Sequence, residues 1–306
     1  MSEAPSAPSL PAWMGDVDPS RIGFPFEVDR AAYRKEPEIA YKRTDDGELH
    51  LDLYRPARTA GSGPAPLVVM IHGGAWRGGG RFQMGLTRWA GYLASAGLTV
   101  VSIDYRLAPA TSFPHSFQDC VDALDWAVEN AERIGADAER VGLWGDSAGG
   151  HLALLLGTSQ TRGDYAGPRL RSGGGRIACV VAWYPPTDLL ALHEAERRAH
   201  GGQTLTGSFV GAAPEQEPQR WRLASPIEQL HRDAPPTLIL QGTRDLLVPH
   251  TQALAYAERA EAHGAEHELH IVEGGVHGFE RVGPGEEARR LIERSRVFLL
   301  DRLGVR

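Results

Sequence analysis

Gly145-Asp146-Ser147-Ala148-Gly149 sets a serine at the centre of a G-x-S-x-G run, between the apolar stretch Val141–Trp144 and a helical pattern over Ser147–Ser159. A strand, a tight turn and a helix in that order lift a serine hydroxyl clear of its neighbours as a nucleophile. The helix N-terminus behind it favours negative charge developing there. Such a serine needs a base within hydrogen-bond reach and a third group to orient that base. His277 lies in Gly274-Gly275-Val276-His277-Gly278-Phe279, just after the strand pattern Glu268–Val272. Asp245 lies in Gln241-Gly242-Thr243-Arg244-Asp245, just after Thr237–Gln241. Both sit at carboxyl ends of predicted strands, where ligands bind in open parallel sheets. Their chain order is Ser, Asp, His, as this elbow requires. Asp188 and Asp233 are rival acids, but Asp188 follows a strand one unit too early. His250, His263, His267 and His270 fall in or beside helix and strand patterns and read as surface or structural residues.

Acyl transfer from a serine builds an oxyanion that wants preorganised N–H donors. Ile71-His72-Gly73-Gly74-Ala75-Trp76 follows another strand, and a glycine-rich loop there supplies such donors together with the N–H of Ala148. His72 reads as structural, holding the loop by hydrogen bonds. No H-E-x-x-H run or Cys/His cluster points to a metal. Gly78-Gly79-Gly80 lacks the trailing Lys-Ser/Thr of a phosphate loop, and no G-x-G-x-x-G follows the first strand. No cofactor is expected.

These residues have to be positioned by a scaffold. Strand patterns fall at Glu38–Lys42, Leu49–Tyr54, Leu67–Ile71, Thr99–Ile103, Val141–Trp144, Ile177–Ala182, Thr237–Gln241 and Glu268–Val272. Leu49, Leu51 and Leu53 alternate with polar residues, whereas Leu67–Ile71 is apolar throughout, as a strand buried on both faces is. Helical patterns over Phe82–Ala96, Ser116–Arg133, Ser147–Ser159, Thr251–His263 and Glu286–Leu303 lie between or after the strands. Early antiparallel strands followed by strand–helix alternation predict a mostly parallel sheet with helices on both faces. About fifty residues between Pro185 and Pro236 break that rhythm, with helical fragments near Leu189–His200, and read as a cap over the site. Residues 1–35, Pro-rich with scattered Trp13, Phe24, Phe26 and Tyr33, read as an arm that packs on the body.

The formal charge of -7 and the absence of a Lys/Arg-rich run argue against nucleic acid. Cys120 and Cys179 show no metal-like or redox spacing and read as buried thiols. There is no signal-peptide pattern and no long apolar run, so a cytoplasmic protein without a membrane partner is expected. Oligomeric state is left open, with a homodimer one option.

Several runs together carry a family resemblance. His72–Trp76, Asp104-Tyr105-Arg106-Leu107-Ala108-Pro109, Gly145-Asp146-Ser147-Ala148-Gly149-Gly150 and Gly275-Val276-His277-Gly278-Phe279 resemble the hormone-sensitive-lipase-like carboxylesterases. Trp76, Tyr184-Pro185-Pro186-Thr187-Asp188-Leu189, Ser225-Pro226-Ile227 and Ala234-Pro235-Pro236 are more similar to the BD-FAE esterases, which border on arylformamidases. The resemblance covers roughly 36–303. It implies an α/β-hydrolase fold: a mostly parallel eight-stranded sheet, helices on both faces and a cap insertion. The domain would run over 36–306, with the insertion at about 186–234 and the arm over 1–35. It further implies no cofactor and hydrolysis of small-molecule esters by two-step acyl transfer. Ser147, Asp245 and His277 would form the triad, and Gly73, Gly74, Ala75 and Ala148 the oxyanion hole. The N–H groups of Gly74, Ala75 and Ala148 would donate, and Gly73 would shape the loop. Ala75 stands where the family has a third glycine; its N–H survives, but its methyl narrows the pocket or shifts the loop. Asp104, Tyr105, Arg106 and Asp119 are read as structural support. An amidase or arylformamidase would use the same triad; a non-hydrolytic enzyme and a binding protein are further rivals on this fold. In the cap interval, Gly201–Thr206 is small and polar, and Pro214–Arg222 is charged or amide-rich. Leu205, Phe209, Val210 and Trp221 are scattered singly, enough to line a small pocket but not a lipid-facing lid.

Overall fold

A computed structural model describes residues 24–57, 63–160, 176–282 and 285–305. Eight strands form one sheet: β1 (Tyr33–Thr44), β2 (Gly47–Pro56), β3 (Ala65–Ile71), β4 (Thr99–Ile103), β5 (Ala136–Asp146), β6 (Ile177–Trp183), β7 (Thr237–Gly242) and β8 (His267–Val272). Their order is β1-β2-β4-β3-β5-β6-β7-β8. β2 pairs antiparallel with β1 and β4, and every other pairing is parallel. The period of two explains the layering. Leu67, Val69 and Ile71 enter one core and Val68 and Met70 the other, all fully buried. A strand apolar on both faces needs helices on both.

One face is covered by α2 (His115–Glu129), α4 (Ala148–Ser159) and α9 (Thr251–His263), which contribute Phe117, Leu124, Leu152 and Tyr256. The other is covered by α1 (Met84–Ser95) and α10 (Glu286–Arg302), through Trp89, Leu93, Leu291 and Phe298. The pattern read as one helix over Ser116–Arg133 divides at Asn130 into α2 and the short α3 (Ala131–Ile134). There the Asn130 amide donates to the Trp126 carbonyl at 2.8 Å, a local bond that competes with helix continuation.

Between β6 and β7 lie α5 (Leu189–His200), α6 (Leu205–Val210), α7 (Pro218–Ala224) and α8 (Pro226–Gln229). The polar run Pro214–Arg222 thus enters a helix, which starts on Pro218, where a missing N–H costs nothing, and buries Trp221. β1 begins at Tyr33, inside the stretch read as an arm. Phe24 and Phe26 lie against α1, with Phe24 edge-on to Trp89 at 5.3 Å and Phe26 stacked on Tyr92 at 5.1 Å. Trp13 lies outside the described residues.

Candidate active site

The turn between β5 and α4 holds Ser147 at φ 52° and ψ −121°, so the helix begins at Ala148, one residue later than its sequence pattern. Gly149 permits the turn: a Cβ there would lie 2.0 Å from the Ile71 carbonyl oxygen. The Ser147 N–H donates to the Trp183 carbonyl at 2.8 Å, tying the elbow to the end of β6. Ala75, Trp76 and Tyr184 also have positive φ, at 53°, 57° and 39°. All four lie just past the carboxyl ends of β3, β5 and β6. Such conformations cost on the order of 1–3 kcal/mol each and persist only where the surroundings impose them.

His277 and Asp245 meet at the same edge. His277 Nε2 is 3.0 Å from Ser147 Oγ, and Nδ1 is 2.7 Å from Asp245 Oδ2. The carboxylate accepts at Nδ1–H, which leaves Nε2 to take the serine proton. Asp245 is itself tightly held. Oδ1 accepts the N–H groups of Leu247 (2.9 Å) and Val248 (2.8 Å), and Oδ2 accepts the Gln241 amide at 3.1 Å. The two loops are drawn together by a close backbone approach: a Cβ on Gly242 would lie 2.2 Å from the Gly275 carbonyl oxygen. Asp188 does other work, capping α5 by accepting the Ala191 N–H at 3.0 Å. Asp233 lies exposed in a turn.

The glycine-rich loop is braced from below. The buried His72 donates through Nδ1 to Gly73 O (2.7 Å) and stacks on Tyr105, whose hydroxyl donates to His72 O at 3.0 Å. Burial pushes the His72 pKa down, so its ring stays neutral. Arg106 donates from its backbone, Nε and Nη2 to the buried Asp119, which anchors the segment carrying Tyr105. The Gly73 N–H donates to Asp146 Oδ1 at 3.0 Å, so Gly73 shapes the loop and is not a free donor. The N–H groups of Gly74, Ala75 and Ala148 make no hydrogen bond among the described residues.

Several residues that sequence reasoning missed hold this arrangement. Gln241, a buried amide at the end of an apolar strand, fixes Asp245, and that oddity of type was a readable signal. His151 accepts from Trp76 Nε1 at 3.1 Å and donates through Nε2 to Ala224 O at 2.8 Å, joining α4, the loop and α7. Burial pushes its pKa down to about 4. Trp76 also stacks on Phe209 of α6 at 4.7 Å. This contact corrects the expectation that Phe209, Val210 and Trp221 line a pocket: all three are buried core residues, because the short helices α6 and α7 pack into the same core as Trp76. Leu205 does line a cavity, of about 190 Å³, with Leu192, Glu196, Leu246 and Leu247. Leu246 and Leu247 directly follow Asp245. Among the described residues, no group of three or more His, Cys, Asp or Glu is placed to hold a metal ion. No helix among them is long and apolar enough to cross a membrane.

A family model described as BD-FAE matches residues 51–259, a span that includes Ser147 and Asp245 and stops short of His277. Esterase LipC of Mycobacterium tuberculosis is 32% identical over 266 residues, 83% of this chain and 64% of LipC. The chain thus spans a little under two thirds of that relative's length. An ethyl acetate hydrolase of Pseudomonas putida is 32% identical over 80% of this chain and 76% of its own length. Esterase LipW from Mycobacterium marinum has a similar structure, with a TM-score of 0.68 and 27% identity over 89% of this chain and 82% of LipW.

Proposed function

The chain belongs to the BD-FAE family of α/β-hydrolase-fold proteins, and on that premise we propose that it hydrolyses carboxylic esters of small soluble substrates through an acyl-enzyme on Ser147. The observation that carries this reading is the unbroken line from Ser147 Oγ through His277 to Asp245, at 3.0 and 2.7 Å. His277 takes the Ser147 proton as Oγ attacks the ester carbonyl. Asp245 holds the imidazole tautomer and stabilises the imidazolium that forms. The N–H groups of Gly74, Ala75 and Ala148 receive the oxyanion. His277 then protonates the leaving alcohol, and water resolves the acyl-enzyme by the same steps.

The helices α5–α8 act as the cap. The contact of Phe209 with Trp76 supports this, since it seats α6 on the oxyanion loop. A cytoplasmic location accords with two buried, free thiols, Cys120 and Cys179. The partner is the small ester itself, with no nucleic acid or membrane surface involved.

A panel of acyl esters, N-formyl amides and N-acyl amides, run with wild type and Ser147→Ala, tests this. Ester turnover that falls by several orders of magnitude in a folded Ser147→Ala protein is the expected result. Turnover of amides in preference to esters would move the assignment to an amidase with the same triad. Ester turnover retained in Ser147→Ala would refute the mechanism.

A further inference from the structure

Arg281 lies four residues past His277 in the turn that leaves the base loop, where its N–H donates to Gly278 O at 2.9 Å. It belongs to neither the triad nor the oxyanion donors, yet pieces from three loops converge on its guanidinium. Nη2 pairs with Asp146 Oδ2 and donates to the Tyr184 hydroxyl at 2.7 Å. Nε donates to Glu280 Oε1 at 2.7 Å. Asp146 immediately precedes the nucleophile, and its other oxygen holds the Gly73 N–H. The Tyr184 ring lies 4.5 Å from that of His277, and its hydroxyl donates to Glu280 Oε1 at 2.6 Å. Asp146 is 4% exposed and Glu280 is fully buried, with Glu280 Oε2 lacking a hydrogen-bond partner among the described residues. Two buried carboxylates therefore sit behind the loops that carry the chemistry, with one guanidinium between them.

We propose that Arg281 is a positioning residue for the acyl transfer: through Asp146 it fixes the oxyanion loop to the nucleophile elbow, and it neutralises a carboxylate that would otherwise oppose the oxyanion. The inference rests on the Ser147 reading. Without Arg281, no guanidinium offsets the Asp146 carboxylate beside the loop whose N–H groups must stabilise another negative charge. With the Asp146 carboxylate itself shielded from water, that repulsion weighs on the transition state more than on the neutral ester. A lysine restores the charge but not the fork that reaches Asp146, Tyr184 and Glu280 at once. Asn at 146 removes the charge but still offers an oxygen to the Gly73 N–H. A clamp serving only the fold would lower stability and leave the turnover of folded enzyme alone.

The test is steady-state hydrolysis of p-nitrophenyl acetate by folded wild type, Ser147→Ala, Arg281→Met, Arg281→Lys, Asp146→Asn and the Arg281→Met/Asp146→Asn double variant. Arg281→Met is expected to lower kcat about 10²-fold, the scale of one lost oxyanion interaction, with KM within about threefold of wild type. Arg281→Lys should fall between the two, about tenfold below wild type in kcat. The double variant should regain about tenfold over Arg281→Met, because the opposing charge has gone. A kcat for Arg281→Met within about threefold of wild type, or a double variant no better than Arg281→Met, overturns the proposal. If Arg281→Met does not fold, Arg281→Lys decides: an unchanged kcat overturns it equally. Activity retained by Ser147→Ala would sink the reading of the site itself. An inactive Ser147→Ala beside an unaffected Arg281→Met sinks only the role of Arg281.

Discussion

At the scale of single residues, the site is a set of side chains whose freedom has been removed. Asp245 accepts from two backbone N–H groups, the Gln241 amide and His277, so its carboxylate has one orientation available. Replacing it by Asn keeps the shape but favours the wrong imidazole tautomer, and kcat should fall by roughly 10²–10⁴-fold. Asp188→Asn should leave kcat within about threefold of wild type, because asparagine caps a helix as well as aspartate does. Parallel kinetics on the two variants decide the matter; a larger loss in Asp188→Asn would reverse the assignment of the acid. Ala75 at φ 53° is a second case. Ala75→Gly should relieve about 1 kcal/mol of backbone strain and raise the unfolding midpoint, net of the extra freedom glycine brings to the unfolded chain. A lower midpoint would show that the Ala75 methyl packs usefully against its surroundings.

Elements matter here through what they tie together. α4 supplies His151, whose two ring nitrogens join the oxyanion loop at Trp76 to α7 at Ala224. His151 is held at about 4, against about 6.5 for an exposed imidazole. Between those values the unfolded chain binds a proton that the folded protein refuses. The stability that neutral His151 contributes is therefore complete above about pH 6.5 and declines toward pH 4, by up to about 3 kcal/mol. Urea midpoints near pH 7 and near pH 4.5, for wild type and His151→Gln, should show a smaller pH difference in the variant. Equal differences would rule out His151 as a source of acid lability. The strands and the polar residues brought together at their ends were legible in the sequence because apolar runs and glycine-flanked Ser147 and His277 each leave a local mark. The bracing was not. His151, Tyr184 and Arg281 act through partners far away in the chain, Gln241 left its mark only in its residue type, and Phe209 was read as pocket lining because its contact with Trp76 spans more than a hundred residues.

For the molecule as a whole, the sheet gathers loops from β3, β5, β6, β7 and β8 at one edge, and α5–α8 pack against that edge. In the proposed cap, Phe209, Val210 and Trp221 are buried in the core, so these three are not available to form a lipid-facing surface. Substrates should therefore be small: in a p-nitrophenyl series from acetate to palmitate, kcat/KM should fall beyond about six acyl carbons. A maximum at long chains, or a jump in rate as substrate passes its solubility limit, would mean that the cap opens onto a lipid surface. The central claim, that the assembled edge makes Ser147 a nucleophile, is open to a more direct measurement. A fluorophosphonate should label the folded wild-type protein once per chain, with the adduct mapped by peptide mass spectrometry to Ser147 and ester hydrolysis lost in proportion. Full labelling at another residue, or hydrolysis undiminished in a protein fully modified at Ser147, would contradict the account.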